Sequence, residues 1–158
     1  MARAVLALNT AMSTPLKTPT TTDDWIPSLE DTPFLRLGGE EAVKALAQAF
    51  YDAMDTTEPA LARLHVLEED GTVSRGTRER FGLFLIGWLG GPQHYVERHG
   101  HPRLRMRHGH VPVDTTMRDA WLRCMHRAMD ARGITGNVRS FLEERFGQTA
   151  DFLRNTEG

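Results

Sequence analysis

The chain reads as all-α. Apolar residues return at helical spacing through successive stretches, and no segment has the alternation of a half-buried strand. Glycine pairs and prolines fall between those stretches, where they end helices. Periodicity gives about six helices.

Residues 1–31 read as a flexible N-terminal extension, since Thr10, Thr14, Thr18, Thr20, Thr21 and Thr22 with Pro15, Pro19 and Pro27 offer little to bury. Within it, Trp25-Ile26 is an apolar pair able to dock on the domain, which is expected over 32–158. Leu35 and Leu37 lead to Gly38-Gly39, a helix break. Glu40 and Glu41 then open a helix, where negative charge suits the N-terminal dipole. Val43, Leu46, Ala47, Phe50, Tyr51 and Met54 give that helix one buried face. Pro59 starts a short helix with Leu61 and Leu64 inward, and Asp70-Gly71 is a loop. An apolar helix is expected over 78–89, with Phe81, Phe84, Leu85 and Trp88 as its stripe, ended by Gly90-Gly91-Pro92. A short irregular piece rich in Arg and His follows, punctuated by Gly100 and Pro102. Asp114 caps the next helix, which carries Met117, Trp121, Met125 and Met129 on one face. Gly133 and Gly136 mark a loop, and the last helix carries Val138, Phe141, Leu142, Phe146, Phe152 and Leu153.

Composition narrows the function classes. At 158 residues the chain suits one domain with its own core. A formal charge of −2 and a pI near 6.4 argue against a nucleic-acid partner. The single cysteine, Cys124, excludes an internal disulfide framework and fits a reducing compartment. No apolar run approaches the roughly 18 residues of a membrane span. The opening MARAVLALNTAM makes a poor signal peptide, so the expected location is cytoplasmic.

The stretch 87–129 holds every histidine but His65. A histidine on a short segment between two apolar helices suits an axial metal ligand, because the ring is held and water is walled off. The bland alternative is a surface histidine among arginines. Zinc is disfavoured, since HExxH and a cysteine pair are both missing.

GWLGGPQHYVERHGHPRLRMRH, followed by RDAWLRCMHRAM, closely resembles the group II truncated haemoglobins, over about residues 32–155. The resemblance implies a globin-like two-over-two helical sandwich around a haem b. One antiparallel pair would be the Val43 helix with the Phe81 helix, the other the Trp121 helix with the Phe146 helix. His108, closing LRMRH, would be the proximal iron ligand, with His110 as its rival. His99 and His101 would order the GHP turn or sit in solvent, and His94 and His126 would be exposed. Tyr51, Trp121 and His65 would form a hydrogen-bonding distal pocket, where core packing is the alternative for the first two. Counting back from Gly90-Gly91-Pro92 puts Thr77 and Phe81 over the distal face. Thr77 would leave the entrance open, or else cap the helix. Phe81 is apolar where a glutamine would add a donor. Phe50, Phe84, Leu85, Leu104, Val111 and Met125 would wall the haem. Arg80 and Arg107, with Tyr95, would meet its propionates, although a solvated arginine face is their common fate.

The implied function is binding of dioxygen, carbon monoxide and nitric oxide. The alternative is a haem-dependent redox enzyme acting on peroxide or nitric oxide with an external reductase. A haem-free partner-binding module is disfavoured by His108, Tyr51 and Trp121 occurring together. Whether the chain forms a homodimer stays open.

Overall fold

The computed structural model describes residues 25–102 and 114–153. Among these residues there are seven helices and no strand beyond an isolated bridge between Leu67 and Val73. The helices are α1 (Pro33–Leu37), α2 (Glu40–Thr57), α3 (Pro59–Ala62), α4 (Arg75–Trp88), α5 (His94–His99), α6 (Thr115–Ala131) and α7 (Gly136–Leu153).

Local chemistry sets most boundaries. Thr32 caps α1 by accepting the Leu35 N–H at 3.1 Å, and Pro33 starts the helix without an amide to satisfy. Gly38 and Gly39 take φ of 115° and 91°, which turns the chain sharply into α2. Asp114 accepts the Met117 N–H at 2.9 Å and caps α6 as expected.

Two antiparallel pairs make the sandwich, as the resemblance implies. Arg78 reaches Asp52 and Asp55, while Gly82, one turn later, lies against Ala47, so α4 runs opposite to α2. Arg118 pairs with Asp151 at 2.8 Å and Arg139 with Asp130 at 3.0 Å, so α7 runs opposite to α6. The pairs meet where α2 packs on α6, through Val43, Leu46, Phe50 and Met54 on one side and Ala120, Cys124, Met125, Ala128 and Met129 on the other. Arg123 adds a forked pair to Glu58 at 2.8 and 3.0 Å just past the end of α2.

Several local expectations need correction. The apolar helix begins at Arg75, because Ser74 rather than Thr77 is its cap, accepting the Thr77 N–H at 3.2 Å. The piece after Gly-Gly-Pro, read as irregular, is helical over His94–His99, where neither glycine nor proline intervenes and Tyr95 turns inward. Leu64, expected inward, is exposed, since α3 ends at Ala62; Phe152, carried by α7, is exposed as well. The extension docks before it ends. Trp25 is buried edge-on against Phe141 at 5.6 Å and donates its indole N–H to the Asp31 carbonyl, whereas Ile26 faces solvent.

The Gly90-Gly91 break is also a packing contact. The Phe34 N–H donates to the Leu89 carbonyl at 2.9 Å, which draws α1 onto the glycines. A Cβ on Gly91 would lie 2.6 Å from the Phe34 ring, and one on Gly90 2.8 Å from the Thr32 Cβ. Gly147, inside α7, has nothing within 4 Å of the same position. Gly91→Ala should therefore destabilise the fold by about 1–3 kcal/mol through overpacking. Gly147→Ala should stabilise it by about 0.5–1 kcal/mol by restricting the unfolded chain. Urea unfolding of both variants checks the pair; equal midpoints would refute the contact argument.

Candidate functional site

Helix α4 carries two apolar stripes rather than one. Gly82, Leu85, Ile86 and Leu89 are fully buried against the core. Phe81, Phe84 and Trp88 follow at i, i+3 and i+7 and are only half-buried. Their rings run along the helix, with centroids 6.4 and 6.5 Å apart. Tyr95 of α5 meets Phe84 edge-on at 6.1 Å. Phe146 of α7 stacks on Trp88 at 5.0 Å and touches Trp121 of α6 at 5.7 Å. Six half-buried or buried rings from four helices thus join into one aromatic wall. Each ring presents a large apolar area, and covering such a wall is favourable at about 25 cal/mol per Å².

At one end of the wall stand the expected distal residues. Phe81 lies 5.6 Å from Tyr51 and 6.4 Å from Trp121, edge-on to both. Phe50 lies beneath them, 4.8 Å from Tyr51 and 5.0 Å from Trp121. His65 closes the other side of Tyr51 at 5.7 Å. The structure thus brings Tyr51, His65, Phe81 and Trp121 together, as expected.

The polar atoms there are unusual. Tyr51 is 5% exposed, and no described residue accepts its hydroxyl hydrogen or donates to its oxygen. Burial pushes its phenol well above the usual tyrosine range, against the lowering charges of Arg78 and Arg80. The group is thus a neutral O–H donor throughout the physiological range. A buried donor without a partner costs about 1–3 kcal/mol. The Trp121 indole N–H likewise has no acceptor among the described residues. His65 is different: its Nδ1 lies 3.1 Å from the Leu61 carbonyl. A carbonyl only accepts, so Nδ1 carries the hydrogen, and in the neutral ring Nε2 is then an acceptor.

The remaining expected residues divide. Phe50, Leu85 and Met125 are fully buried in the core, Phe84 belongs to the wall, and Tyr95 is buried against Phe84 and His99. The Thr77 hydroxyl accepts from Ser74 Oγ at 2.9 Å and so belongs to the start of α4. Arg80 is exposed and reaches Thr77 at 3.5 Å. His108, His110, Leu104, Arg107 and Val111 lie outside the described residues. Sequence reasoning did not assign Trp88, Phe146 or Arg78 to the site. Spacing from Phe81 and Phe84 was the signal for Trp88, and the polar row Gln48, Asp52 and Asp55 beside Tyr51 was one for Arg78. Phe146 had no local signal, because only tertiary packing brings α7 to the wall.

A haem fits these residues: a flat apolar group would cover the half-buried rings, and its polar ligand would meet two donors that have no acceptor among the described residues.

The comparisons agree. The profile of the bacterial-like globins matches residues 32–155. The group 2 truncated hemoglobin YjbI of Bacillus subtilis is 38% identical over 117 residues, covering 74% of this chain and 84% of that protein. Among solved structures, the group II truncated hemoglobin of Bacillus anthracis superposes with a TM-score of 0.73 at 35% identity, over 80% of this chain and 98% of that one. The cold-adapted truncated hemoglobin of Pseudoalteromonas haloplanktis gives a TM-score of 0.72 at 41% identity, over 79% and 98%. With its two antiparallel helix pairs and aromatic wall, the chain belongs to the bacterial-like globins, among the group II truncated haemoglobins, whose shared work is to bind small gases at a haem.

Proposed function

We propose that the chain binds dioxygen, and with it carbon monoxide and nitric oxide, at a haem b held by His108, and that its distal donors are arranged for slow release. A bound haem would supply ferrous iron as the site for a diatomic gas. The chain's residues do the rest. Tyr51 and Trp121 donate to the partly negative ligand from two sides of Phe81. His65 orients beside Tyr51, and donates from Nε2 only when its ring is protonated. Phe81, Phe84 and Trp88 would exclude water and cover a flat face of the haem, a role also proposed for Leu104 and Val111. Arg80, Arg107 and Tyr95 meet the propionates.

The observation that carries this reading is the buried, neutral hydroxyl of Tyr51 and the indole of Trp121, both packed on Phe50 and Phe81 and neither with a hydrogen-bond partner among the described residues. It is supported by a solved relative, described as a truncated oxygen-avid haemoglobin from Bacillus subtilis, which is 36% identical with a TM-score of 0.70.

His108→Ala should abolish stoichiometric haem uptake, read as loss of the Soret band, while His110→Ala keeps it; the reverse would move the ligand to His110. Tyr51→Phe and Trp121→Phe should each speed oxygen dissociation roughly tenfold or more, since a hydrogen bond to a charged group contributes about 1.5–3 kcal/mol. Unchanged rates in both single variants and in the double variant would remove the donor argument.

A second reading is redox turnover of peroxide or nitric oxide with an external reductase. The contact chain from Trp121 through Phe146 to Trp88 favours it, because it links one half-buried indole at the proposed distal site to a second half-buried indole. Under this reading, steady-state consumption of peroxide or nitric oxide should continue over many equivalents when reductant is supplied, whereas a pure binder stops at one.

A further inference from the structure

Arg78 is a cation in the first turn of α4, where the helix dipole disfavours it, and its side chain is only 11% exposed. Four acceptors hold it there. Nε donates to the Val73 carbonyl at 2.9 Å, and Nη1 to Gln48 at 3.0 Å and Asp52 at 2.7 Å. Nη2 makes a short contact with Asp55, whose other oxygen accepts the Val73 N–H at 3.1 Å. Gln48, Asp52 and Asp55 stand three residues before, one after and four after Tyr51 on α2. The guanidinium carbon comes to 5.8 Å from the centre of the Tyr51 ring.

An ion cluster of this kind is poor evidence for stability, since well-packed apolar residues often do as well. Its place beside one ring is informative. A cation against an aromatic ring draws electron density from it, which makes a phenol O–H a stronger donor. The four acceptors leave the guanidinium little freedom to move away. They also tie the end of the loop carrying His65 to α2 at the level of Tyr51.

We propose that Arg78 is a positioning residue for gas binding: clamped by Gln48, Asp52, Asp55 and the Val73 carbonyl, it fixes the Tyr51 ring and strengthens its hydroxyl as the donor to the bound ligand. The proposal rests on the reading of Tyr51 as the distal donor.

The test compares Arg78→Met, Arg78→Lys and Tyr51→Phe. Two quantities are read: the C–O stretching frequency of the ferrous carbon monoxide complex and the thermal midpoint of the haem-free protein. A stronger donor beside the ligand lowers that frequency. Both Arg78 variants lose the forked network, so both midpoints should fall. Only Arg78→Met loses the charge, so only it should raise the frequency, part of the way towards Tyr51→Phe. Its oxygen release should quicken by roughly three- to thirtyfold, the span of a cation–π contact from exposed to desolvated. Arg78→Lys should keep the frequency near the parent value. If Arg78→Met does not fold, the double variant Arg78→Met/Asp55→Asn removes the charge together with its buried partner and is read the same way. A frequency unmoved by loss of the charge, while Tyr51→Phe moves it, would overturn the role of Arg78 alone. A frequency unmoved by Tyr51→Phe would overturn the distal reading of Tyr51, and the role of Arg78 with it.

Discussion

The architecture depends on close packing around Phe50. This ring is fully buried at the point where α2 meets both α4 and α6, with Phe81 and Trp121 each 5.0 Å away. Interiors at crystal-like density transmit such contacts. The ring that joins the two helix pairs therefore also sets where the ring of Phe81 and the indole of Trp121 stand. Tyr51, the next residue on α2, inherits the same anchoring. Fold and site are coupled through one side chain: a smaller residue at 50 would leave a void in the core and release both distal neighbours.

Stability and function pull apart around that anchor. Large residues on the α6 face, Met125 and Met129, and Leu46 and Met54 on α2, have no exposure at all. A few steps away, Phe81, Phe84 and Trp88 remain half-buried, and Tyr51 keeps a buried hydroxyl without a partner among the described residues. A chain selected for stability alone would cover those rings and satisfy that hydroxyl. The core stabilises the fold well enough to tolerate both losses, and a bound flat group with a polar ligand would recover them.

Much of the fold was legible because it is written in local chemistry. Apolar periodicity located α2, α4, α6 and α7, and Gly38-Gly39, Gly90-Gly91-Pro92 and Asp114 marked their ends. What escaped depends on partners distant in sequence. Helix α5 was hidden by its charge and histidine content, and the inward turn of its Tyr95 is explained by Phe84 of α4. The burial of Trp25 needs Phe141 of α7. The split of α4 into a core stripe and a wall stripe needs knowledge of which neighbour sits on which side. At the site, Tyr51, Trp121 and His65 were reachable because a family resemblance supplied their roles. Periodicity alone would have placed Tyr51 and Trp121 in an ordinary core. Arg78 was missed because a cation early in a helix looks like a solvated residue until its partners on α2 are in view.

If Tyr51 and Trp121 are the distal donors proposed above, Phe81 decides how they behave. The ring stands edge-on to both Tyr51 and Trp121, at interplanar angles of 77° and 85°. A glutamine in its place would add an N–H donor, but its carbonyl oxygen would also accept from either neighbour. An internal hydrogen bond of that kind would satisfy the Tyr51 hydroxyl before any ligand arrived, and the ligand would then gain only the difference between two bonds. A phenyl ring competes for neither donor and excludes the water that would. On the proposed reading the apolar residue removes one potential contact and leaves the other two undivided, so the strength of the distal site would follow from what Phe81 cannot do.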